Sequence, residues 1–194
     1  MTIFVITTGG TIGALPYQDP IFPPRECTIP ADGTDIVREV VQTVFQEKKT
    51  LCVSLGLRDS YSVDEPYRHS LVELIRHAPQ DKILITHGTD SMVQTADFLY
   101  DKAQKDPTIA AKKIILTGAM IPLSNGSHSD GYQNLAFALS ALENGDENLN
   151  GIHLVLCDFD GGGYWCPRLY TFTPGKYEKV YATDGRYNRL YERA

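Results

Sequence analysis

Two threonines stand directly behind glycines at the ends of short apolar runs. The first is Thr11, in "TTGGTIGALPY" (residues 7–17), and the second is Thr89, in "THGTD" (residues 86–90). A threonine hydroxyl is a weak nucleophile and works only beside a base or a proton path. Tyr17, a few residues beyond Thr11, can supply one, and Thr89 carries its own carboxylate neighbour, Asp90. Two hydroxyls of this kind suit acyl transfer, in which one attacks a carbonyl and backbone N–H groups hold the oxyanion. Gly9 and Gly10 add the freedom for the backbone to approach a ligand closely.

The surrounding sequence must bring these residues together. "IFVIT" (3–7) is continuously apolar and β-branched, as in a strand covered on both faces. "TLCVSLGL" (50–57), "KILIT" (82–86), "KKIILTG" (112–118) and "GIHLVLCDF" (151–159) read as four more strands. Between them run segments of helical period. Ile36, Val37, Val40, Val41, Val44 and Phe45 form one apolar stripe, and Leu71, Leu74 and Ile75 a second. Met92, Ala96 and Leu99 mark a third helix, and "SDGYQNLAFALSAL" a fourth. A capping box from Ser62 to Glu65 is expected to start the second. Strands alternating with helices of this length predict an α/β fold: an open, mostly parallel sheet with helices on both faces. From Gly161 the chain is rich in Gly, Tyr, Pro and Arg without a clean period, which predicts a hairpin or irregular C-terminal cover.

In open α/β sheets ligands bind outside the carboxyl ends of the strands. The residues following the five strands are therefore the candidates: Thr7 to Thr11, Arg58-Asp59-Ser60-Tyr61, His87 to Asp90, Gly118 to Pro122, and Asp158-Phe159-Asp160. Three of these ends carry hydroxyls, and two set glycine beside threonine.

A glycine loop after a first strand can also cradle phosphate. The dinucleotide fingerprint, however, needs G-x-G-x-x-G and an immediate helix. Here Leu15-Pro16 stands where the helix would begin, and no G-K-[ST] follows. A nucleotide-binding domain is disfavoured on these grounds, and a plain turn remains the bland alternative.

The 194 residues fit one domain, 1–194. A net charge of −6 argues against nucleic acid as a main partner. No apolar run approaches the roughly 20 residues of a membrane helix, and no basic segment precedes the apolar start, so a cytoplasmic protein without a membrane partner is expected. Cys27, Cys52, Cys157 and Cys166 form no C-x-x-C pair and are expected to be reduced, with Cys52 and Cys157 packed in the core. No histidine pair has metal-ligand spacing, so no metal is expected. His87 reads as a structural residue bonding nearby backbone, His69 and His128 as surface or helix residues, and Asp130 as a support for its own turn.

"TGGTIG" (8–13) and "THGTDSM" (86–92) together resemble the two threonine motifs of the bacterial-type L-asparaginases and glutaminases. "LTGAMIPLSNGSHSDGYQNLAFAL" (116–139) is similar to that family's GAM-x-P … SDG … N-L block, and "RDSYSVDEPYRHSLVELI" (58–75) to its substrate-loop and helix region. The likeness spans about residues 3 to 160. It implies Thr11 as nucleophile, Thr89 as the second threonine, and Asp90 as the partner of the substrate's α-amino group. It implies Ser60 on the α-carboxylate, Tyr61 where relatives carry glutamine, Gly10 and Gly88 lining the substrate, and Tyr17 as the loop tyrosine. The implied reaction is hydrolysis of L-asparagine to L-aspartate and ammonia through an acyl-threonine, with no cofactor, in a homo-oligomer (dimer or tetramer).

Two departures bear on this. The family's lysine behind the second threonine would fall at Gly145, and the chain ends where a second, glutamate-supplying domain would begin. They keep a second reading open: a non-catalytic or weakly active amino-acid-binding or sensor module of the same fold.

Overall fold

A computed structural model of the protein describes residues 2–18, 27–144, 149–159 and 165–172. Within them lie six strands: β1 (Ile3–Gly9), β2 (Thr50–Arg58), β3 (Lys82–Thr86), β4 (Lys113–Thr117), β5 (Gly151–Phe159) and β6 (Trp165–Thr171). The helices are α1 (Ile36–Thr43), α2 (Glu65–His77), α3 (Thr89–Ala103), a short α4 (Pro107–Ala110) and α5 (Gly131–Asn144). The strands form one sheet in the order β2-β1-β3-β4-β5-β6. Every pairing is parallel except β5 with β6, which is antiparallel; of the two forms expected for the C-terminal cover, hairpin or irregular, this pairing fits the hairpin.

Alternation along the strands sorts the core into two layers. Phe4, Ile6, Ile83, Ile85, Ile114 and Leu116 face α2, α3 and α4 through Leu71, Ile75, Met92, Leu99 and Ile109. Val5, Leu84, Ile115 and Val155 face α1 and α5 through Val37, Val41, Leu135 and Leu139. Every residue of β1 is buried, as expected of an interior parallel strand with helices on both sides. β2 lies at the sheet's edge and is only half covered. Cys52, on that edge, is therefore part-exposed, whereas Cys157 on β5 is buried as expected.

The start of α2 differs from the capping-box expectation. Its N-cap is Asp64, whose carboxylate accepts from the Tyr67 N–H at 2.9 Å, and Ser62 belongs to the preceding 3₁₀ turn. Pro66, in the first turn, fixes the helix start at this point, and an aspartate carboxylate is a good acceptor there. α4 carries too few residues to show a period in sequence; it is set by the Asp106 side chain, which accepts from the Thr108 N–H.

The order of the strands creates the place for a site. β1 has β2 on one side and β3 on the other, and the chain runs outward in opposite directions from this point. Such a reversal leaves a crevice at the carboxyl ends of the two central strands, where doubly wound sheets hold their ligands.

Candidate active site

The loops after β1, β2 and β3 meet in that crevice, and their glycines allow the close approach. At Gly10 the backbone has φ +76° and ψ −177°, and a Cβ built there would stand 2.2 Å from the Gly88 Cα. A Cβ on Gly88 would stand 2.3 Å from the Ser60 Cβ. The residues before Thr11, the residue before Thr89 and the Ser60 backbone are thus in direct van der Waals contact. The Gly10 N–H donates to the Arg58 carbonyl at 2.8 Å, closing the β1 loop onto β2.

Thr11 opens a single 3₁₀ turn, Thr11–Gly13, and the chain then doubles back. The Tyr17 hydroxyl lies 3.5 Å from Thr11 Oγ1. Tyr17 is held there by residues that sequence reading did not single out. Asn125 accepts from the Tyr17 N–H at 2.9 Å and donates to the Tyr17 carbonyl at 3.0 Å, and Ser124 donates to the Ala14 carbonyl at 2.8 Å. Burial pushes the Tyr17 phenol pKa up, against the lowering effect of its hydrogen bond to Thr11. The phenol is therefore neutral at neutral pH.

Ser60 donates to Asp90 Oδ2 at 3.0 Å, and Ser91 donates to the Ser60 carbonyl at 2.7 Å, so the ends of β2 and β3 are joined by side chains. Tyr61, largely exposed, also hydrogen-bonds Asp90. Burial raises the Asp90 pKa, with Asp59 adding repulsion and the Ser60 and Tyr61 bonds opposing it. Thr89 is 4 % exposed, and its hydroxyl faces the Met120 sulfur at 3.9 Å. Asp130 accepts from the Met120 N–H at 3.0 and 3.1 Å and from the Ile121 N–H at 3.0 Å, which shapes the loop after β4 over the site.

Cys27 is the other residue missed in sequence. Its thiol donates to Asp59 Oδ2 at 2.9 Å and lies against Thr11, and burial, then the Asp59 bond, push its pKa up to about 12. Asp59 Oδ1 accepts from the Tyr61 N–H at 2.9 Å. Cys27 has no spacing signal: it stands sixteen positions beyond Thr11 in sequence.

The structure thus brings Thr11, Tyr17, Ser60, Tyr61, Gly10, Gly88, Thr89 and Asp90 to one crevice. His87 lies behind it in the interior, and His69 and His128 are on the surface. Gly145 and Asp160 lie outside the described residues. Among the described residues no three His, Cys, Asp or Glu side chains gather as a metal set, and no helix is long and apolar enough to cross a membrane.

Comparison with known proteins assigns the family. Residues 2–171 match the family model for the asparaginase N-terminal domain. The chain belongs to the asparaginase family. Over 105 residues it is 30 % identical to L-asparaginase 2-3 of Saccharomyces cerevisiae, covering 54 % of this chain and 27 % of that protein. Over 84 residues it is 38 % identical to probable L-asparaginase 4 of Schizosaccharomyces pombe, covering 43 % and 22 % of the two chains. The crystal structure of a probable cytoplasmic L-asparaginase from Campylobacter jejuni superposes with a TM-score of 0.58 at 24 % identity, over 81 % of this chain and 45 % of that one. That likeness is one of fold. The asparaginase-family chain spans about a quarter of the length of the curated relatives it matches.

Proposed function

We propose that this asparaginase-family chain is an amidohydrolase that cleaves a small amide, L-asparagine first among candidates, through an acyl-threonine on Thr11. The observation that carries the reading is the placement of a neutral tyrosine hydroxyl 3.5 Å from Thr11 Oγ1, in the crevice where Ser60, Thr89 and Asp90 converge. Thr11 Oγ1 attacks the amide carbonyl. Its proton passes to Tyr17, which, being protonated at rest, hands its own phenol proton in the same step, directly or through a water, to the amide nitrogen that leaves. Backbone N–H groups of the glycine turns stabilise the oxyanion. Collapse expels ammonia, and water then releases the acid from Thr11 by the reverse route. The second hydroxyl, Thr89, is assigned to that water and leaving group.

Recognition follows from charge. The groups that perturb Tyr17 and Asp90 are carboxylates, hydroxyls and a thiol, with Asp59 and Asp90 the acids. Such a site suits a ligand carrying an ammonium, with Asp90 as its partner and Ser60 turned to the substrate's carboxylate. Tyr61, Gly10 and Gly88 line the bound amide. The proposal uses no metal or cofactor. It also takes the chain as one domain over 1–194, cytoplasmic, and assembled as a homo-oligomer, a dimer or tetramer.

The test is ammonia release from L-asparagine by the wild-type chain, Thr11→Ala and Thr89→Val. Activity lost in both variants, with folding retained, is expected. Wild-type protein that binds L-asparagine by calorimetry yet releases no ammonia from it, from L-glutamine or from D-asparagine would refute the hydrolase and favour a binding module.

A further inference from the structure

Behind the Gly88–Thr89 turn sits an ionisable side chain that the proposed hydrolysis leaves unused. His87 is fully buried, and its backbone N–H is spent on the Thr117 carbonyl at 2.8 Å. Its Nδ1 lies 2.8 Å from the Gly88 carbonyl oxygen, and its Nε2 lies 2.9 Å from Thr95 Oγ1. Arg68 Nε donates to the same Thr95 hydroxyl at 3.1 Å. Thr95 is itself 1 % exposed.

The donors and acceptors of this chain permit one assignment for a neutral imidazole. A carbonyl oxygen only accepts, so Nδ1 carries the hydrogen. Nε2 is then the acceptor, and the Thr95 hydroxyl must donate to it. The lone pairs of Thr95 remain for Arg68, which only donates. Arg68 is also the charged group that faces the ring, and its repulsion, after burial, opposes an imidazolium.

We infer that Arg68, Thr95 and His87 form a directional hydrogen-bond chain that positions the Gly88–Thr89 peptide, drawing the Gly88 carbonyl inward and so turning the Thr89 N–H outward to the crevice. In a trans peptide the C=O and N–H point in opposite directions. The Thr89 N–H opens α3 and has no intrahelical partner, and Gly88 brings no side chain to cap it. Gly88 also contacts Gly10 and Ser60, so its orientation is shared by all three loops of the site. His87 and Thr95 are thus positioning residues. Their effect on turnover rests on the hydrolase reading; their effect on the peptide does not.

The experiment therefore has two parts. In ¹⁵N-labelled wild-type protein, the His87 ring at neutral pH is expected as the Nδ1–H tautomer, opposite to the Nε2–H form that free histidine favours. In the same spectra Thr95→Val shifts the Thr89 amide resonance, and Thr95→Ser leaves it at the wild-type position. An Nε2–H ring, an imidazolium, or an unmoved Thr89 amide in Thr95→Val overturns the inference whether or not the protein is an enzyme. Should Thr95→Val fail to fold, the wild-type tautomer still decides. In turnover, Thr95→Val lowers kcat about 10- to 100-fold with KM within about twofold, and Thr95→Ser restores it. Equal losses in kcat for both variants would mark a merely structural site and also overturn the inference.

Discussion

The contact between the Gly10 and Gly88 loops can be weighed by adding one methyl group. In Gly10→Ala the new Cβ would stand 2.2 Å from the Gly88 Cα and 2.3 Å from the Gly88 nitrogen, so backbone must yield. The residue would also be held at φ +76°. Gly33 gives the control: its φ is +77°, and a Cβ there meets nothing within 4 Å. Both variants bear the cost of an L-residue at positive φ, about 1–2 kcal/mol in the left-handed region, and Gly10→Ala bears more because its ψ of −177° lies where essentially only glycine is found. Only Gly10→Ala bears the overpacking, about 1–3 kcal/mol more. With a urea m-value of about 2 kcal/mol/M, the midpoint of Gly10→Ala should lie about 0.5–1.5 M below that of Gly33→Ala. At a temperature where both are folded, ammonia release should fall in Gly10→Ala alone, because the displaced Gly88 carries the loop of Thr89 with it. A Gly10→Ala midpoint equal to or above that of Gly33→Ala would refute the close packing on which the site is built.

Two more outcomes rest on ionisable groups. Burial lowers the His87 pKa from 6.5 to about 4, so between those values the unfolded chain binds a proton that the folded chain refuses. The stability associated with neutral His87 is complete above pH 6.5 and falls as pH drops toward 4, by about 3 kcal/mol at about 1.4 kcal/mol per unit. Chemical denaturation from pH 7 to pH 4 should show this loss in wild type and a shallower one in His87→Asn; parallel curves would disprove it. At Cys27, a thiol pKa pushed up to about 12 leaves little thiolate, so alkylation by iodoacetamide at pH 8 should be about 100- to 1000-fold slower in folded than in urea-unfolded protein. Rapid labelling of Cys27 in the folded state, read by mass spectrometry of its peptide, would contradict the Asp59 contact.

The strands were legible because interior parallel strands are short continuous apolar runs. β3 and β5 fall where "KILIT" and "GIHLVLCDF" place them, and β1 and β2 extend slightly beyond their apolar runs. Helix starts were less so. Ser62 and Asp64 are both sound N-cap residues, and what separates them is the turn at Ser60–Ser62, which depends on how β2 leaves the sheet. Of the site, the residues at strand ends could be named from sequence because the architecture exposes them. Asn125 and Cys27 could not, because their roles lie in contacts made across more than thirty positions.

What the sequence determined by itself is chemical identity and local position: two glycine–threonine turns, a serine and an aspartate, each immediately following an apolar strand. Those come from side-chain types and short-range period, which a chain carries without knowing its neighbours. What only the tertiary structure decided is adjacency. β1 pairs with both β2 and β3, so the turns of Thr11, Ser60 and Thr89 close on one crevice, with Gly10 and Gly88 backbone to backbone. Strand order is set by which apolar faces pack beneath which helices, a global sum over both core layers, and no window of residues contains it.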